Sequence, residues 1–162
     1  MYPLEYWMDL ALTEAKIAGQ KQEVPIGAVI VCADELISSA HNLKEISHKA
    51  TAHAEILAIE AACLRLGRWR LTDCTLYVTL EPCLMCAGAI IQSRMGRVVY
   101  GSADSKAGAV TSLYKTLNDT RLNHRPEVIG GIREVACSSL LKEFFWQLRQ
   151  PPINPMEAAK SP

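Results

Sequence analysis

Ala52-His53-Ala54-Glu55 and Glu81-Pro82-Cys83-Leu84-Met85-Cys86 are the stretches around which the rest of this chain is arranged. Together they hold one imidazole, two thiols and a free carboxylate. Structural zinc usually takes four protein ligands, whereas catalytic zinc takes three and leaves one position for water. His53, Cys83 and Cys86 make three ligands, and Glu55 stands beside them as a base. Each stretch opens a helical run, so the reading of both decides the fold.

From Ala54 to Leu66 the residues are apolar almost all round, broken by Glu55, Glu60 and Arg65. That predicts a helix buried on most sides and ended by Gly67. Thr75 to Leu80 is the most strand-like run, and after Pro82-Cys83 a small apolar helix reaches Ser93. Arg97 to Gly101 and Glu127 to Gly130 read as two more strands. The roughly twenty-five residues between them suit a crossover between parallel strands, with a short helix expected near Val110 to Leu117.

Upstream, Leu4, Trp7, Met8, Ala11, Ala15 and Ala18 form a helical stripe, with Pro3 in the first turn and Gly19 as the stop. Val24 to Cys32 reads as a strand with Pro25 at its start, and Ala33-Asp34-Glu35 turns it into an antiparallel partner, Leu36 to Asn42. A polar segment, Leu43 to Thr51, leads into His53. Downstream, Leu141, Phe144, Phe145 and Leu148 mark the buried face of a terminal helix. The order α-β-β-α-β-α-β-α-β-α predicts an α/β fold, a three-layer α/β/α sandwich with a five-stranded mixed sheet. Both motifs then sit at sheet ends, where open α/β folds place their sites. Residues 1–150 read as one domain. The segment 151–162, with four of the eight prolines, reads as a disordered tail.

Seventeen basic and seventeen acidic side chains cancel, so a polyanion site must be a local patch. Met1-Tyr2-Pro3-Leu4-Glu5 carries acid and no apolar core of a secretion signal, and no apolar run approaches membrane-spanning length. Six scattered cysteines do not make a disulfide scaffold. The expectation is a cytoplasmic protein with no membrane partner.

Cys83 and Cys86 are three apart, so both thiols share one face of a first helical turn, whose positive end favours thiolates. Two thiolates and a neutral imidazole bring a zinc ion to formal neutrality. Water on such a zinc needs help losing its proton, and Glu55 is the helper. His53 and Glu55 are two apart and would diverge within a regular helix. They converge only if the metal lies at the helix mouth, with His53 barely inside the first turn. Alone, Cys-x-x-Cys fits a redox pair, a structural zinc or a catalytic one. His-Ala-Glu thirty positions earlier (83 minus 53) favours the catalytic zinc. The pattern H-x-E…P-C-x-x-C is a known zinc-deaminase signature, and this chain matches it.

With these motifs the chain resembles the cytidine-deaminase-like superfamily, and within it the bacterial tRNA-specific adenosine deaminases, from about residue 4 to residue 150. The likeness is carried by Val24-Pro25-Ile26-Gly27-Ala28-Val29, Ala52-His53-Ala54-Glu55, Tyr77 through Ile90, and Asn123-His124-Arg125 with Asp104 and Lys106. The resemblance implies one zinc per subunit on His53, Cys83 and Cys86, with Glu55 shuttling protons. It implies that Asn42 hydrogen-bonds the nucleoside and that backbone around Ala54 and Cys83 lines the pocket. Asp104, Lys106, Asn123 and His124 would contact the tRNA anticodon loop. The expected enzyme is a homodimer that converts the wobble adenosine, position 34 of an arginine tRNA, to inosine.

Each extra residue has a plainer reading. Asn42 is also a turn former; Asp104 and Lys106 suit a solvated loop; Asn123-His124-Arg125 before Pro126 suits a loop ordering the fifth strand. Arg65, Arg68, Trp69 and Arg70 read either as a basic patch or as arginines paired with acids. Cys32, Cys63 and Cys137 fall in apolar runs and read as core, and Cys74 carries no assigned role. The rival enzymes are deaminases of guanine, cytosine or a deoxynucleotide. The rival of another class is a redox or structural-zinc protein that binds RNA.

Overall fold

The computed structural model describes residues 1–150; the expected disordered tail lies outside them. Five strands form one sheet in the order β2-β1-β3-β4-β5: β1 (Gly27–Cys32), β2 (Glu35–His41), β3 (Cys74–Leu80), β4 (Arg97–Ser102) and β5 (Glu127–Ile129). β1 pairs antiparallel with β2 and β3, while β3–β4 and β4–β5 are parallel. The sheet is mixed, as expected.

Strand alternation divides the core in two. Ala28, Ile30, Leu76, Val78, Val98 and Tyr100 face one cluster, which packs against α3 (Ala54–Leu66) and α4 (Leu84–Gln92). Val29, Val31, Tyr77 and Val99 face the other, which meets α1 (Leu4–Gln20) and Cys137 of α5 (Glu134–Arg149). Period-two side chains with helices on both faces give the three layers.

Local chemistry sets most boundaries. Ala33 and Asp34 both have positive φ, the two-residue turn that matches hairpin twist. Gly67 ends α3 in the left-handed conformation. β1 begins at Gly27, later than expected, because Pro25 has no N–H and the Ile26 N–H turns back to the Val24 carbonyl at 2.8 Å. Gly19 does not stop α1, which runs on to Gln20. The segment before His53 holds a one-turn helix, α2 (Lys44–Ser47).

Three further expectations need correction. Val110 to Leu117 is not a helix; only Thr116–Asn118 forms a 3-10 turn, because the N–H groups of Val110, Thr111 and Ser112 donate to the Glu81 carboxylate. α3 buries one stripe, Ala54, Glu55, Ala58, Ile59 and Ala62, and leaves Leu64 84% exposed. On α5 the buried residue is Cys137, whereas Phe145 and Leu148 face outward. α5 packs on β4 and β3, and Phe145 lies at the groove beyond their C-terminal ends, with Leu80 and Ser102.

Candidate active site

His53 and Cys83 are the N-cap residues of α3 and α4, both extended, and neither caps its own helix through its side chain. Their side chains turn toward each other instead. His53 Nδ1 lies 3.7 Å from Cys83 Sγ and 3.6 Å from Cys86 Sγ. Cys86 sits buried in the first turn of α4. The three ligand atoms lie within 4.8 Å of one another and could hold a metal ion. The spacing of His53 and Glu55 is reconciled at the helix mouth, with His53 extended just outside the first turn instead of barely inside it, while Glu55 is helical and buried.

A cavity of about 170 Å³ opens here, lined by Val24, Ile26, Asn42, Lys44, His53, Ala54 and Glu55. The Cys83 thiol is held down to about 3, first by its hydrogen bond from Cys86, against burial, and then by His53. Cys86 is pushed up by that same bond and by burial. His53 is raised, chiefly through its hydrogen bond with Cys83. Burial raises the Glu55 carboxyl above the ordinary carboxylate range. His53 and Glu55 line this space, and the Cys83 and Cys86 sulfurs stand behind His53 within 3.7 Å of its Nδ1.

The remaining expected residues divide. Asn42 lines the cavity, fixed by bonds from its Nδ2 to Glu23 Oε2 and the Val24 carbonyl, both 3.3 Å, and by the Lys44 N–H, 3.2 Å from its Oδ1. Ala54 is buried in the cavity wall. Asp104 and Lys106 line a neighbouring groove of about 400 Å³ with Val24, Leu80, Lys142 and Phe145. Val24 belongs to both spaces, so groove and cavity adjoin. Asn123 and His124 lie elsewhere. Asn123 Oδ1 accepts from Arg94 at 2.6 Å, and His124 Nε2 is 2.7 Å from the Met95 carbonyl. Those partners precede β4, whereas Cys83 follows β3 and Asp104 follows the parallel β4. The two groups are therefore at opposite ends of the sheet within one chain.

Two buried glutamates escaped sequence reasoning. Glu23, fully buried, accepts the Ile46 N–H at 2.7 Å and holds Asn42 in place. Glu81, 2% exposed, accepts N–H groups from Asp104, Val110, Thr111 and Ser112 at 2.7–3.0 Å, and the Ser112 hydroxyl as well. Burial pushes its pKa up, but the Ser112 hydroxyl and the N–H groups of Thr111, Asp104 and Ser112 outweigh that and hold it at about 2. A lone carboxylate between a strand end and Pro82 was the available signal.

Residues 4–149 match the family model of the MafB19-like deaminases. The chain is 50% identical over 146 residues to the tRNA-specific adenosine deaminase of Bacillus subtilis (strain 168), covering 90% of this chain and 91% of that protein. The chain belongs to the tRNA-specific adenosine deaminase family. A solved structure from a study of A-to-I editing by tRNA:A34 deaminases at the wobble position superposes with a TM-score of 0.81 at 44% identity, covering 84% of this chain and 99% of that one. A guanine deaminase from Nitrosomonas europaea shares the fold at a TM-score of 0.72 and 23% identity, covering 89% of this chain and 85% of that one.

The arginines at and after the end of α3 do not form a free basic patch in this deaminase. Arg65 pairs with Glu35, Arg68 with Asp73, and Arg70 lies 4.3 Å over the Trp69 ring. Cys137 is buried as expected, but Cys32 and Cys63 are only half-buried. Among the described residues no helix is long and apolar enough to cross a membrane.

Proposed function

We propose that this deaminase hydrolyses adenosine to inosine at the wobble position, position 34, of tRNA, with arginine tRNA as substrate. The observation that carries the reading is the cluster of His53, Cys83 and Cys86 beside a cavity that His53 and Glu55 line, in a chain half identical to a tRNA-specific adenosine deaminase.

The donor set suits zinc, one ion per subunit. Tetrahedral geometry with zinc–sulfur bonds of about 2.3 Å and a zinc–nitrogen bond of about 2.0 Å separates nitrogen from sulfur by roughly 3.5 Å. The observed separations are 3.7 and 3.6 Å. When bound there, zinc supplies an activated water as the nucleophile. The adenine must leave its stack to reach the cavity. Glu55 carries both protons of the water that adds to C6: the first goes to ring nitrogen N1, the second to the amino group, which departs as ammonia. Asn42, held by Glu23, hydrogen-bonds the nucleoside, and the Ala54 backbone lines the pocket.

Asp104 and Lys106, in the adjoining groove, take the flanking anticodon-loop nucleotides. Asn123 and His124 are too far along the sheet to join them from the same chain. A homodimer, in which a second copy presents that end to the bound loop, accounts for both sets. A tRNA substrate also places the protein in the cytoplasm. The test is incubation with total bacterial tRNA followed by nucleoside mass analysis, with free guanine, cytosine and deoxycytidylate in parallel. Inosine in tRNA is expected; turnover of the free compounds alone would overturn the reading.

A further inference from the structure

At the far end of the sheet a second set of soft ligands comes together. Cys32 ends β1 and Cys74 opens β3, and the two are directly opposed across the antiparallel pair. Opposed residues project to the same face, so their sulfurs meet. Asp73 lies just before β3. Its Oδ2 is 3.5 Å from Cys32 Sγ and its Oδ1 is 3.6 Å from Cys74 Sγ. All three ligand atoms lie within 4.8 Å of one another. Nothing in the deaminase chemistry uses them: the catalytic cluster follows Leu80, at the other end of β3, roughly 20 Å away for a strand of this length.

We propose that Cys32, Asp73 and Cys74 form a second metal site, for a zinc-like divalent cation. Geometry favours it. Zinc–sulfur bonds of about 2.3 Å and zinc–oxygen bonds of about 2.1 Å in tetrahedral geometry set sulfur and oxygen roughly 3.6 Å apart. Cys32 Sγ is 3.5 Å from Oδ2 and Cys74 Sγ is 3.6 Å from the other oxygen, Oδ1, so each sulfur stands at that separation from one oxygen of the carboxylate that lies between them.

The surroundings fit as well. Arg68 donates to both Asp73 oxygens at 2.6 and 2.8 Å, the kind of outer partner that orients a ligating carboxylate. Both thiols donate to Asp73; an ion that displaces their protons would meet two thiolates, one carboxylate and one guanidinium, a double negative charge that a divalent cation neutralises. The Asp73 side chain is 56% exposed and Cys32 is half-buried, so an ion can enter and complete its shell with water, while Cys74 anchors it from the buried side. Bound there, the ion clips β1 to β3 across 42 positions of chain (74 minus 32) and ties both to the segment after α3 through Arg68. A clip of this kind acts on folding stability and leaves turnover alone.

The experiment is metal stoichiometry on the purified full chain, stripped, reloaded with zinc, freed of excess by gel filtration and measured by atomic emission. Wild type is expected to hold two zinc ions per chain. Cys32→Ser should hold one, keep its deaminase activity and lose part of the zinc-dependent rise in Tm. Cys86→Ala should also hold one. The two sites are read separately, since one equivalent depends on Cys32 and the other on Cys86. A wild type whose zinc content does not change on Cys32→Ser overturns the second site and shows Cys32, Asp73 and Cys74 to be a hydrogen-bonded cluster only. A wild type that loses its single zinc on Cys32→Ser supports this site and contradicts the catalytic one.

Discussion

Replacing Glu81 by glutamine keeps the side chain's shape and removes its charge, which isolates what the carboxylate does. Oε1 accepts three N–H groups, from Val110, Thr111 and Ser112, and Oε2 accepts the Asp104 N–H and the Ser112 hydroxyl. An amide has one acceptor oxygen and one NH2, so its best orientation puts the NH2 at the Oε2 position. There the Ser112 hydroxyl can reverse and accept, but the Asp104 N–H faces another donor and loses its partner. A buried group left unpaired costs about 1–3 kcal/mol, and a hydrogen bond to a charged group is worth about 1 kcal/mol more than a neutral one. These terms are not additive, and the sum expected for Glu81→Gln is roughly 2–4 kcal/mol, or a Tm lowered by about 5–15 °C for a chain of this size. Urea denaturation at pH 7 measures the first, and a thermal scan the second. Because the same bonds hold the Asp104–Ser112 loop beside the cavity, kcat/KM on tRNA should fall while metal content stays at the wild-type value. A Glu81→Gln protein within 0.5 kcal/mol of wild type, the ordinary range of surface substitutions, would refute the reasoning.

Cys86→Ala should lose the catalytic metal and melt at lower temperature, because the ion joins the first turns of α3 and α4; atomic emission showing unchanged metal would remove Cys86 from the ligand set. Gly27→Ala should destabilise by about 2–3 kcal/mol in urea titration, since a methyl group there would run into the Ala11 carbonyl and the Ala15 N–H of α1. Glu23→Gln, which leaves the neutral amide near Asn42, should raise KM more than it lowers kcat, because the proposed contact of Asn42 with the nucleoside depends on the Glu23 carboxylate that positions it.

Much of this molecule was legible because local chemistry and the global fold agree. Ala54–Leu66 with Gly67 after it, the Ala33-Asp34 turn and the alternation of β3 are all written in residue type and period. The His53–Glu55 spacing pointed to a metal at the mouth of α3, although His53 stands just outside the first turn and not barely inside it. What escaped was set by partners distant in sequence. Val110 to Ser112 look helical until Glu81, about thirty residues earlier, takes their N–H groups. Phe145 and Leu148 look buried because large apolar residues at helical spacing suggest a core face, yet α5 packs on β3 and β4 through Cys137, and Phe145 lies at the groove beyond the strand ends, with Leu80 and Ser102. No periodicity marks Glu23, whose burial depends on meeting Asn42 and the Ile46 N–H. The placement of Asn123 and His124 at the other end of the sheet follows from strand direction, which motifs alone do not carry.

The central claim is that Glu55, beside the ligands His53, Cys83 and Cys86, moves the protons of a tRNA adenosine deamination. The most direct measurement incubates arginine tRNA carrying adenosine at position 34 with wild type and with Glu55→Gln, and maps inosine by nuclease digestion and mass spectrometry while zinc is counted in the same samples. Inosine at position 34 from wild type, with turnover lowered at least about a hundredfold in a fully zinc-loaded Glu55→Gln, is the predicted result. Inosine formed by Glu55→Gln at the wild-type rate, or none formed by zinc-loaded wild type, would contradict it.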